Sequence, residues 1–103
     1  MNRIKSIPQW YKDTQFRSRL EARWARQLDE WKIPWQYEPE GFDLDGLWYV
    51  PDFWLPECRT FFEVKGIMDF VSRTKILSLW RKVREDRINI AIGQGNLSDL
   101  FVS

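Results

Sequence analysis

This 103-residue sequence predicts an α/β fold, and three observations carry the prediction. Apolar residues recur at helical spacing between about Asp13 and Lys32. Two strand-like runs, Trp48 to Leu55 and Thr60 to Lys65, are separated by the short breaker Pro56-Glu57-Cys58-Arg59. A basic helical stretch from about Phe70 to Arg87 then precedes Ile88-Asn89-Ile90-Ala91-Ile92, an apolar run too short for a helix. The expected order is helix, mixed sheet built on an antiparallel hairpin, helix, strand, in one domain with a core over residues 13–95.

Residues 1–12, with Pro8, Trp10 and Tyr11, form a lead-in segment. In the first helix Phe16, Leu20, Trp24, Leu28 and Trp31 are spaced three or four apart, and Pro34 requires the helix to stop before it. Arg17, Arg19, Arg23 and Arg26 decorate this helix. The spacing of Phe16 and Leu20 starts it before Ser18, leaving Glu21 beside the apolar stripe and facing the sheet. A competing reading makes Ser18-x-x-Glu21 a capping box.

Trp35 to Glu38 reads as a strand, followed by a loop with Gly41 and Gly46 as turn residues and Asp43 and Asp45 as solvated acids. Glu38 is a secondary site candidate. In the run from Trp48, side-chain alternation puts Trp48, Val50, Asp52 and Trp54 on one face and Tyr49, Pro51, Phe53 and Leu55 on the other. The same alternation puts Glu63 and Lys65 together on the next strand. A hairpin through Pro56–Arg59 brings Asp52 beside Glu63. In the second helix Ile76, Leu77, Trp80 and Val83 are the expected inward residues. The run Ile88–Ile92 is expected to be a buried strand joining the sheet beside Lys65's strand through a parallel crossover. Gln94 just past it is a weak candidate.

Charged groups on one face of an otherwise apolar strand are costly to bury unless they meet opposite charge or a metal. Two carboxylates and a lysine converging on one spot suit phosphodiester hydrolysis. Hard oxygen ligands select Mg2+, with Mn2+ as substitute, and lysine orients water or stabilises charge on the phosphate.

Pro51-Asp52 followed by Glu63-Val64-Lys65 resembles the signature of the PD-(D/E)XK nuclease superfamily: a Pro-Asp, a variable gap, and an acid two residues before a lysine. The resemblance runs from about Phe16 to Gly93. It implies a restriction-endonuclease-like core of one helix, a hairpin-rich sheet of three strands, a second helix and a further strand. It also implies catalytic roles for Glu21, Asp52, Glu63 and Lys65. Asp52, Glu63, the backbone carbonyl of Val64 and Glu21 would be the metal ligands. The implied activity is a Mg2+-dependent DNA endonuclease of the small phage or mobile-element type, targeted by DNA structure or a partner protein. A homodimer or larger complex would serve two-strand cleavage. Arg17, Arg73, Lys75 and Lys82 are the expected DNA-binding residues, with Lys75 best placed near the active centre. The alternative is a catalytically inactive nucleic-acid-binding or protein-binding module on the same fold.

The composition agrees with this chemistry. There is one cysteine, Cys58, and no histidine, which excludes an intramolecular disulfide and any histidine-based triad or zinc site. The seven Trp and seven Phe are mostly expected in the core. Net charge is only +1, but its distribution is uneven. Residues 1–37 hold eight Lys or Arg against four Asp or Glu, residues 38–63 one against seven, and residues 64–103 seven against four. An acidic centre between basic flanks fits carboxylates for a cation and Lys or Arg for flanking phosphates. Without an apolar run of membrane-spanning length or a signal core, the expected location is cytoplasmic.

Overall fold

A computed structural model describes residues 9–66 and 68–94. Most of the lead-in segment and the turn residue Gly95 therefore lie outside the described residues. The chain first makes a small antiparallel hairpin, β1 (Gln9–Tyr11) with β2 (Thr14–Phe16), turning at Lys12 with a positive φ of 54°. Helix α1 follows over Arg19–Glu30. It thus begins after Ser18, not before. Phe16 belongs to the apolar stripe only in space, as a fully buried residue of a preceding strand. Ser18 is the N-cap, its hydroxyl accepting the Glu21 N–H at 3.1 Å. The helix buries Ala22, Trp24, Ala25 and Leu28, each large apolar side chain contributing roughly 1.5–3 kcal/mol. Lys32, at φ 60°, ends it.

The main sheet has four strands in the order β3 (Gln36–Tyr37), β6 (Phe53–Leu55), β7 (Thr60–Lys65) and β8 (Asn89–Gln94). β6 pairs antiparallel with both β3 and β7, and β8 runs parallel to β7, as the strand-helix-strand order predicts. A separate two-stranded hairpin, β4 (Phe42–Leu44) with β5 (Leu47–Tyr49), occupies what reads as an acidic loop. Its two-residue turn, Asp45-Gly46, has positive φ at both positions, 54° and 92°. That is the geometry an Asp-Gly pair favours between twisted strands. The Asp43 carboxylate accepts the Gly46 N–H at 2.6 Å, so Asp43 closes this turn while remaining exposed.

Helix α2 covers Phe70–Val83, capped by the Asp69 carboxylate on the Ser72 N–H at 2.7 Å, and a 3-10 turn over Arg84–Asp86 follows. Its buried face is Ile76, Leu79 and Val83. Leu77 and Trp80, expected inward, are exposed because the inward stripe passes through Leu79 instead.

Alternation on β7 divides the molecule into layers. Phe62 and Val64 join Phe53, Leu55 and the α1 residues in one core, under α1. Phe61 joins Leu44, Leu79 and Val83 in a second core, under α2 and the β4–β5 hairpin. The last strand lies at the sheet edge and is not a buried strand: Ile92 is exposed, while Gly93 is buried. A methyl group at Gly93 would stand 2.5 Å from the Phe62 ring and 2.8 Å from Trp24, so this edge accepts only glycine. No helix among the described residues is long and apolar enough to cross a membrane.

Candidate active site

The site grows from the β6–β7 register. Phe53 pairs with Phe62, so Asp52, one residue before β6, falls opposite Glu63. Each carboxylate accepts a backbone N–H from across the hairpin. The Asp52 N–H donates to Glu63 Oε2 at 3.2 Å, and the Val64 N–H donates to Asp52 Oδ2 at 2.8 Å. Glu63 is fully buried and Asp52 half-buried. Lys65 Nζ lies on the same face, 3.8 Å from Glu63 Oε1. Lysine is therefore partnered with Glu63 and not with Asp52, and at a length beyond a hydrogen bond.

Two negative charges in this half-sealed position face one lysine. Burial, and then the neighbouring Glu63 charge, push the Asp52 carboxyl up to about 7. Glu63 is also raised, chiefly by burial, against the opposing pull of the Tyr49 hydrogen bond and the Lys65 charge. Undercompensated carboxylate oxygens on a rigid sheet are the donor set that a hard divalent cation satisfies.

Tyr49 is a participant that the sequence reading misses. Its hydroxyl donates a short hydrogen bond to Glu63 Oε1. Alternation along an unbroken strand would put Tyr49 on the face opposite Asp52. The strand is broken, however: β5 ends at Tyr49, β6 begins at Phe53, and the intervening Val50-Pro51-Asp52 resets the phase. Burial, followed by the Glu63 charge, raises the Tyr49 phenol far above its usual range, so it stays a donor.

Glu21 is buried, but in α1, the layer beneath the other face of the sheet. Its Oε1 accepts the Tyr37 hydroxyl at 2.6 Å and the Arg17 N–H at 3.1 Å. It is therefore both a residue of the first helical turn next to the Ser18 cap and an inward-facing acid, so the two readings of Glu21 are not exclusive. Burial and then Glu21 push the Tyr37 phenol up. The Glu21 charge adds to the rise at Asp52 and Glu63. It shares no hydrogen bond with either, and among the described residues no three acids converge as a ready ion cage. Val64 enters the site through its N–H, while its side chain packs in the α1 core.

The remaining candidates are dispersed. Glu38 turns away from the pair: its carboxylate meets Arg17 at 2.5 Å, while its N–H donates to the Asp52 carbonyl at 2.7 Å. Arg17 is thus exposed but already ion-paired. Arg73 is exposed on α2, and Lys75 is half-buried one turn before Leu79. Lys82 borders a cleft of about 250 Å³ with Arg81, Ser78 and the acids Asp43 and Asp45. Gln94 is exposed and pairs with Lys65 in the β7–β8 register, inside the strand instead of past it.

No protein-family model, curated protein or solved structure matches this chain.

Proposed function

We propose that this chain is a divalent-cation-dependent nuclease that hydrolyses DNA phosphodiester bonds, Mg2+ being the natural ion and Mn2+ a substitute. The observation that carries the reading is the opposed, buried Asp52–Glu63 pair with Lys65 on the same face. Asp52 and Glu63 would hold the ion, with the Val64 carbonyl as a further oxygen ligand and Glu21 adding negative charge behind them. When bound, the cation supplies charge neutralisation at the phosphate and a more acidic water.

The chain's own residues do the rest. The backbone N–H groups of Asp52 and Val64 fix the two carboxylates on paired strands, and Tyr49 holds Glu63 from the hairpin side. Lys65, as an ammonium with three donors, orients the attacking water and stabilises charge on the phosphate oxygens. Arg17, Arg73, Lys75 and Lys82 are proposed contacts to flanking phosphates. Phe70, Val71, Leu77 and Trp80 leave an exposed apolar strip on α2, which fits the proposal of a homodimer or larger complex, phage or mobile-element in type.

The second reading is a catalytically inactive module binding nucleic acid or protein. It is favoured by one observation, that both Glu63 oxygens already have partners within the protein. Incubating the protein with supercoiled plasmid, linear duplex, single strands and a four-way junction, in Mg2+, Mn2+ or chelator, separates the two. Under the nuclease reading, metal-dependent cutting appears and Lys65→Ala reduces it by at least about 10³-fold with folding intact. DNA binding without cutting of any substrate would leave the binding module.

A further inference from the structure

A cavity of about 470 Å³ lies away from the Asp52–Glu63 pair. It runs along the outer face of α1, floored by Ala22 and lined by Arg19, Arg23, Arg26, Gln9, Gln27 and Glu30. The arginines are spaced four and three residues apart, hence on one face of the helix. All three are exposed, and none forms an ion pair among the described residues. Arg26 stacks over the Tyr11 ring with its guanidinium 5.1 Å from the ring centre, a contact that orients the group while leaving its N–H edges free.

Arg19 to Arg26 spans roughly 10 Å at about 1.5 Å per residue. That length matches about three nucleotides of one strand at about 3.4 Å each. Arg19 stands in the first turn of α1 at one end of the groove, and Glu30 borders the other end. Glu21, next in sequence to the Ala22 floor, faces inward from that same turn.

We infer that this groove receives the sugar-phosphate backbone of a nucleic-acid strand, Arg19, Arg23 and Arg26 each pairing with a phosphate. The inference rests on the nuclease reading for its substrate. The groove's chemistry, three planar guanidiniums along an open channel bordered by two amides, is that of phosphate contact without base readout.

The test uses the full chain carrying Lys65→Ala, in chelator, so that binding is measured without cutting. Fluorescence anisotropy with labelled single-stranded and duplex oligonucleotides across a salt series reports affinity and salt slope. Arg19→Ala/Arg23→Ala/Arg26→Ala is expected to weaken binding at least about tenfold and to lower the slope of log affinity against log salt by about 2 for single strands or about 3 for duplex. Arg19→Glu/Arg23→Glu, which leaves the Tyr11 stack alone, should weaken it further, and Glu30→Gln should tighten it. Circular dichroism melting checks that each variant folds. An unchanged affinity and slope in the folded triple variant would overturn the inference. So would absence of nucleic-acid binding by the parent chain, or a groove that binds poly-glutamate while DNA binding survives the substitutions. If the wild-type chain cuts nothing in Mg2+ or Mn2+ yet binding depends on the three arginines, the nuclease reading fails and the phosphate groove stands.

Discussion

Two carboxylate centres in this chain are built in opposite ways. Asp29, at the end of α1, receives the Tyr11 hydroxyl at 2.5 Å, the Trp35 indole N–H at 2.9 Å and Lys12 Nζ at 2.9 Å. Burial pushes its carboxyl up, but the hydrogen bonds from Tyr11, Lys12 and Trp35 outweigh this and hold it below the usual range. That centre is satisfied, and it ties the N-terminal hairpin, the helix and the following loop together. Asp52 and Glu63 face each other with too little positive charge, and both are pushed the other way. A lone carboxylate matched by a lysine at 2.9 Å is a structural tie, whereas two acids sharing one lysine at 3.8 Å are left short of positive charge.

The contrast is sharpest in cation binding. Isothermal calorimetry with Mg2+ or Mn2+ should show binding that Asp52→Ala weakens by about 10²-fold or more, while Asp29→Ala leaves it unchanged. Equal binding in wild type and Asp52→Ala would break the comparison at its centre. Stability should respond the other way round. Asp29→Ala strands the Tyr11 and Trp35 donors and is expected to cost on the order of 2 kcal/mol in urea unfolding at pH 7. A change within about 0.5 kcal/mol would show that the tie is ornamental.

The smallest expected effect is in the pH dependence. Asp52 titrates higher folded, about 7, than unfolded, about 3.9. The native state therefore binds more protons between those values, and this group's contribution to stability falls as pH rises from about 4 to 7. In chelator, Asp52→Asn should accordingly raise stability by on the order of 1–2 kcal/mol at pH 8, with the gain vanishing near pH 4. Asp29 works in the opposite sense, since its depressed carboxyl stabilises above the unfolded pKa and loses that contribution as pH falls through the folded value. Thermal melts of both variants at pH 4, 6 and 8 would show the two trends crossing, and parallel curves would refute the assignment.

Much of this was readable from local pattern. The hairpin through Pro56–Arg59, the pairing of Asp52 with Glu63, the shared face of Glu63 and Lys65, and the parallel β8 all follow from alternation and connection length. Other features were not. Phe16 continues the helical spacing of α1 yet lies in β2, because pairing with Gln9 outweighs three residues of periodicity. The acids of residues 43–45 disguise a hairpin, in which exposed Asp43 pairs across the strands with exposed Trp48. Leu77 and Trp80 fit an inward stripe equally well until Leu79 takes the core position.

The sequence by itself determined which residues carry charge, where strands alternate, and that acids and lysine must gather near one hairpin, since these depend on neighbours a few positions apart. Only the tertiary structure decided that Tyr49 clamps Glu63, that Glu21 is held by Tyr37 in the opposite layer, and that Glu38 is spent on Arg17. Each of those contacts joins residues from separate elements. The physical reason is that compensation of a buried charge is a matter of distance in space, set by strand breaks and layer packing that no local period records.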